Sequence, residues 1–149
     1  MKVLCIGHSS WDITVPVDDY PVENTKYRYN EKYSAGGGPA GNAAYLLGKW
    51  GIDTVIATNI GSDDFGTKIK KEFQEVNVST DYIETSYDKD TSFSFILINK
   101  KNGYRTVFNV ATEHPPLKKL TYEFTPDIIF VDGHDYGACL LYTSDAADD

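Results

Sequence analysis

Three short apolar runs constrain this chain more than anything else in it. Residues 2–6 (KVLCI), 53–60 (DTVIATNI) and 127–131 (DIIFV) do not alternate cleanly between apolar and polar residues, and a glycine follows each closely: Gly7, Gly61 and Gly133. A strand of this kind is covered on both faces. Helical patterns separate the runs. In residues 39–50, Pro39 suits a first turn, Ala43, Leu46, Leu47 and Trp50 form an apolar stripe, and Gly51 is placed to end the helix. After the second run, Ser62 reads as an N-cap with Asp63 and Asp64 in the first turn, and Phe65, Ile69, Phe73 and Val76 recur at the helical period. Strand, helix, strand, helix, strand in this order predicts an α/β fold: a parallel sheet with helices on its faces.

Four other segments do not fit a parallel core. Residues 12–17 place Ile13, Val15 and Val17 on one face, residues 25–33 alternate Tyr27, Tyr29 and Tyr33 with charges, and residues 91–98 and 104–110 flank the hairpin signal Asn102-Gly103. One-sided alternation belongs to a sheet with one face packed and one open. A small second sheet beside the main one, able to act as a lid, is the expectation.

Bulk properties exclude several classes. With 14 basic against 22 acidic residues, a formal charge of −8 and no basic run, a nucleic-acid partner is not expected. No stretch approaches the roughly 18–20 apolar residues of a membrane span, so the expected setting is the cytoplasm, with no membrane partner. Two cysteines, Cys5 and Cys139, make neither a disulfide framework nor a metal knuckle, and Cys5 reads as a buried thiol in the first strand. His8 and His134 follow core strands, where ligands gather in open α/β sheets, but without a second His or Cys at metal spacing. His114, beside Pro115-Pro116, reads as a loop residue.

The segment AGGGPAGNAA, residues 35–44, opens the first helix. Backbone N–H groups near Gly37 and Gly38 are therefore unpaired there, with the positive end of the helix behind them, which suits an oxygen-rich ligand. Gly36, Gly38 and Gly41 satisfy G-x-G-x-x-G, but they lie about thirty residues beyond the first core strand rather than in the turn after it, and the nearest acid, Asp53, begins the next strand. Gly48-Lys49 is not a phosphate loop, because Trp50 stands where Ser or Thr must hold magnesium.

Gly37, Gly38, Asn42, Ala44, Gly51 and Gly61 stand in the register of the first signature of the ribokinase (PfkB) family, which this chain resembles over essentially all of residues 1–138. GHSSWD, residues 7–12, is similar to the family's opening motif, GSDDFG, residues 61–66, to its G-x-D-x-x-G turn, and Asp132-Gly133-His134 to a DG-containing strand end of several members. The resemblance implies a ribokinase-like fold with a β-sheet lid and an ATP-dependent carbohydrate kinase. It assigns Asp12 and Ser10 of the opening motif, Gly37, Gly38 and Asn42 of the helix start, and Arg105 of the lid hairpin to the substrate, a small sugar or sugar phosphate. A carboxylate, an amide and close backbone donors are the groups that adjacent hydroxyls need. ATP and Mg2+ are the implied cofactors. A homodimer through the lid is the implied assembly.

The family's catalytic base lies in a G-A-G-D turn of the C-terminal half, with the ATP pocket; no such turn occurs here, so the chain as given is expected to be inactive and no catalytic or metal residue is assigned. Residues 139–149 (CLLYTSDAADD) resemble the forward translation of a transposase sequencing adapter. The expected organisation is thus an N-terminal part of a ribokinase-like domain, 1–138, and a non-native tail, 139–149. A nucleoside kinase of the same family and a non-catalytic sugar-binding protein on the same scaffold are the alternatives.

Overall fold

The computed structural model describes residues 1–118 and 121–143. Four strands, β1 (Lys2–Ile6), β4 (Asp53–Gly61), β5 (Ser79–Ser86) and β8 (Ile128–Val131), form an all-parallel sheet in the order β5-β4-β1-β8. Helices α1 (Pro39–Lys49) and α2 (Asp64–Glu75) connect outward from it, and α3 (Tyr136–Thr143) follows β8. The three apolar runs are the three central-to-edge strands β4, β1 and β8. Residues alternate across β1: Val3 and Cys5 face α1 and α2 with Ile56, Ile60, Ile69 and Phe73, whereas Leu4 and Ile6 face the opposite side with Val55, Ala57, Leu117 and Ala138. Each fully buried Leu or Ile contributes roughly 1.5–3 kcal/mol, an upper figure because the unfolded chain is not fully extended. Burial also pushes the Cys5 thiol up to about 12, so it is inert at neutral pH.

The second sheet has the order β3-β2-β6-β7 and is mixed: β2 (Ser10–Val17) runs antiparallel to β3 (Tyr33–Gly37) and parallel to β6 (Phe93–Asn99), which forms a hairpin with β7 (Arg105–Val110). Gly103, with φ +73°, closes that hairpin as the Asn102-Gly103 signal predicts. Trp11 and Phe93 pack this sheet onto Phe65 of α2.

Three local expectations are corrected. The strand expected at 25–33 is irregular backbone; strand pairing begins at Tyr33 and runs into the glycines, because β2 offers Trp11 to Thr14 as partners for Tyr33 to Gly36. Tyr27 and Tyr29 stack on each other, 6.1 Å between ring centres, outside any sheet. The N-cap of α2 is Asp63 rather than Ser62: its side chain accepts from the Gly66 N–H at 2.9 Å. Helix α3 crosses the boundary expected at 138, and residues 144–149 of the expected tail lie outside the described residues.

Candidate functional site

Chain reversal after β1 builds the floor of the site. Gly7 has φ +145°, and a Cβ there would lie 2.1 Å from the Asp132 carboxylate, so both the conformation and the space demand glycine. The next residue, His8, donates its N–H to Asp132 Oδ2 at 2.7 Å and accepts from the Gly41 N–H at 3.2 Å. Gly38, with φ +83°, is the N-cap of α1 and has no side chain to offer; a Cβ on it would strike the His8 carbonyl at 2.4 Å. Asp132, at the end of β8, supplies the missing cap: its Oδ2 also accepts from the Ala40 N–H at 3.1 Å. Its Oδ1 takes the His134 N–H at 2.9 Å and lies 3.2 Å from His134 Nδ1, and the side chain is only 1% exposed. A buried carboxylate thus occupies the positive end of α1.

Asp12 stands one strand over. Its carboxylate receives the Ser10 hydroxyl at 3.2 Å and lies flat against Gly37, where a Cβ would come within 2.3 Å of it. In the sheet register Asp12 is opposite Ala35 on one side and Ser94 on the other, and Ser94 is opposite Asn109. Residues paired in this way share a face. Asn109 Nδ2 donates to Ser94 Oγ at 3.2 Å. A polar row therefore runs from the glycine-rich strand to Asn109.

Asn109 borders a cleft of about 580 Å3 at the carboxyl ends of β1, β4 and β8, where open α/β sheets place their ligands. His8, His114 and His134, every histidine of the chain, line it with Asn59 and Asp135. The rings of His8 and His134 stack at 5.0 Å. Burial lowers the His8 imidazole below its ordinary value; His134 acts in the same direction, against Asp132 and Asp12. Burial also lowers His114. Asp135 is occupied structurally, accepting the Leu117 and Ala138 N–H groups at 2.8 Å each.

The six residues expected at the substrate divide into groups. Ser10, Asp12, Gly37 and Gly38 lie together beside His8. Asn42 is exposed and lines a separate hollow of about 120 Å3 with Gly36, Gly37, Tyr45 and Glu72; it meets Asp12 only through Gly37 between them. Arg105 is not brought to the group. It lies four residues beyond Asn109 along β7, opposite Ile98, about 13 Å away at strand spacing. His114, expected in an ordinary loop, is a cleft residue. The capping role of Asp132 was not read from the sequence; the signal available was an acid directly at the carboxyl end of a continuous apolar strand.

A second junction ties the lid to the core. Asp63 accepts from the Thr91 N–H at 2.8 Å and the Thr91 hydroxyl at 2.6 Å as well as from Gly66, and Thr91 Oγ1 accepts from the Gly61 N–H at 2.9 Å. Burial raises the Asp63 carboxyl, but the bonds from Thr91 and Gly66 outweigh it and hold it below the ordinary value.

The fold and cleft define an open parallel α/β domain with a β-sheet flap at its ligand-binding edge. Residues 1–129 match the pfkB family of carbohydrate kinases, and the chain belongs to that family. It is 25% identical over 99 residues to the ATP-dependent ribose-1-phosphate kinase of Halopiger xanaduensis, covering 66% of this chain and 33% of the relative. To the ketohexokinase of Mus musculus it is 25% identical over 122 residues, 82% of this chain and 41% of the relative. The crystal structure of ribokinase from Cryptococcus neoformans var. grubii serotype A in complex with ADP superposes with a TM-score of 0.73 at 18% identity, over 99% of this chain and 46% of that one. The chain thus spans less than half the length of each.

Proposed function

We propose that this chain is the substrate-binding part of an ATP-dependent carbohydrate kinase, which transfers a phosphoryl group from ATP to a sugar hydroxyl. The observation that carries the reading is the Asp12 carboxylate, fixed against Gly37 and Ser10 beside the start of α1, in a polar row that opens on the cleft at the strand ends. A carboxylate so held accepts two hydroxyl hydrogen bonds without reorganising, which is what a polyol requires. Asn42, one turn further on, contributes from the neighbouring hollow on this reading. Arg105 contributes only in a lid position other than the one described.

ATP supplies the phosphoryl group on this reading, and magnesium accompanies it. The residues at hand do not fit either one. No Lys or Arg lines the cleft, and among the described residues no group of three or more His, Cys, Asp or Glu could hold a metal ion. Nucleotide binding and the catalytic base are therefore assigned to the part of the whole protein that this chain does not span, and the chain alone is expected to turn nothing over. Among the described residues no helix is long and apolar enough to cross a membrane. A second copy of the chain, docked on the open face of the lid around Phe95 and Phe108, is the proposed partner.

The test is a binding titration of the chain with D-ribose, D-fructose and adenosine, followed by amide shifts in the 7–12 and 36–42 segments. Sugar-induced shifts there, weakened about tenfold or more by Asp12→Asn, support the reading. Adenosine as the sole binder turns it toward a nucleoside kinase, and silence toward all three removes it.

A further inference from the structure

The charges around the cleft carry a second conclusion, which rests on the kinase reading just given and narrows its substrate. Anionic ligands are held in proteins by Lys or Arg side chains or by the free N–H groups at a helix start. This cleft has neither. Its lining contains no Lys or Arg, and its ionisable carboxylates, Glu113 and Asp135, are both acids. The start of α1, the one helix end beside it, is already occupied by Asp132, whose carboxylate takes the Ala40 and His8 N–H groups while 1% exposed. A phosphate arriving there would face a buried negative charge at the place where its own would need compensation.

The histidines do not reverse the balance. Burial disfavours the charged form of both His8 and His114. His134 has Nδ1 3.2 Å from Asp132, so its neutral ring presents Nε2 as an acceptor, a partner for a hydroxyl and not for a phosphate oxygen. The adjoining hollow past His114 does contain Lys89 and Lys118, but Glu84, Asp88 and Glu113 share it and outnumber them, and Lys89 Nζ already donates to the Glu113 carbonyl.

We infer that the substrate of this cleft is uncharged, an unphosphorylated sugar or its glycoside, and that sugar phosphates are rejected by the Asp132 carboxylate at the start of α1 together with an acid-only rim. In this respect the chain would part from the ribose-1-phosphate kinase it resembles.

The test titrates the chain, at fixed ionic strength and pH 7.5, with D-fructose and D-ribose against fructose 6-phosphate, ribose 1-phosphate and inorganic phosphate. The expected result is that the neutral sugars bind at least about tenfold more tightly than their phosphates, and that inorganic phosphate leaves the His8 and His134 signals unmoved. A phosphate ester that binds as well as its parent sugar, with shifts at His8 and His134, overturns the inference and leaves the kinase reading standing. Failure of every sugar overturns both. Glu113→Lys, a change at an exposed rim position, is expected to reduce the preference for neutral sugar by about tenfold. An unchanged preference in that variant overturns the electrostatic basis even if the selectivity is present.

Discussion

The two sheets of this molecule are built to opposite specifications. In the parallel sheet, Leu4, Cys5, Ile6, Ile56 and Ile60 are completely buried, and the strands carry almost nothing that a ligand would recognise. In the mixed sheet, β7 is exposed along its whole length and Phe108 is 53% exposed, yet this sheet supplies Asp12, Ser94 and Asn109. Rigid backbone ends come from one and adjustable polar side chains from the other. The difference teaches that recognition here belongs to the seam, where the turn after β1 and the Asp63–Thr91 contact join them.

If that division is right, substitutions should separate the sheets by size of effect. Ile56→Ala, in the parallel sheet, is expected to cost about 2–5 kcal/mol in denaturant unfolding, the range for a large-to-small change at a fully buried site. A loss below 1 kcal/mol would break the comparison. At the seam, Thr91→Val strips a hydroxyl from the Gly61 N–H and from Asp63; a loss of about 1–3 kcal/mol is expected, with faster hydrogen exchange in β6 than in β1. Uniform acceleration in both strands would mean that the two sheets open as one unit.

A smaller effect comes from the cleft histidines. Their folded-state values lie below the ordinary 6.5, so the unfolded chain binds more protons once the pH falls under about 6.5. Stability is therefore full above that pH and declines as pH drops through it toward the lowered folded values. The denaturation midpoint should be lower at pH 5.5 than at 7.5, with a reduced difference in His8→Gln; a midpoint that rises on acidification contradicts the burial argument. Asp63 acts in a separate window, below its ordinary 3.8. The smallest change is expected from Phe108→Ser on the open lid face, within about 0.5 kcal/mol for the monomer. Its effect should appear instead in sedimentation, as weaker self-association.

Much of the parallel sheet was legible because its strands bury both faces and so write their burial directly into the sequence. The lid was legible where β2 and β6 alternate, and its hairpin through Asn102-Gly103. β3 was not, because YSAGG has the composition of a turn and becomes a strand only when β2 pairs with it; β5 was not, because STDYIETS is half-buried throughout and shows no clean period. Of the site, Asp12 and the glycines could be read from spacing. The convergence of His8, His114 and His134 could not, since nothing local in residues 111–116 reveals which strand ends they cover.

One consequence of the Asp132 contact concerns the order in which this molecule acquires its shape. Helix α1 takes its terminal hydrogen bond from a residue 92 positions downstream, so a growing chain that has emerged only through β7 has its glycine-rich segment made but not secured. Competence to bind then arrives late and abruptly, when β8 joins β1, and any partially synthesised product is a poor ligand trap whatever the quality of its first hundred residues.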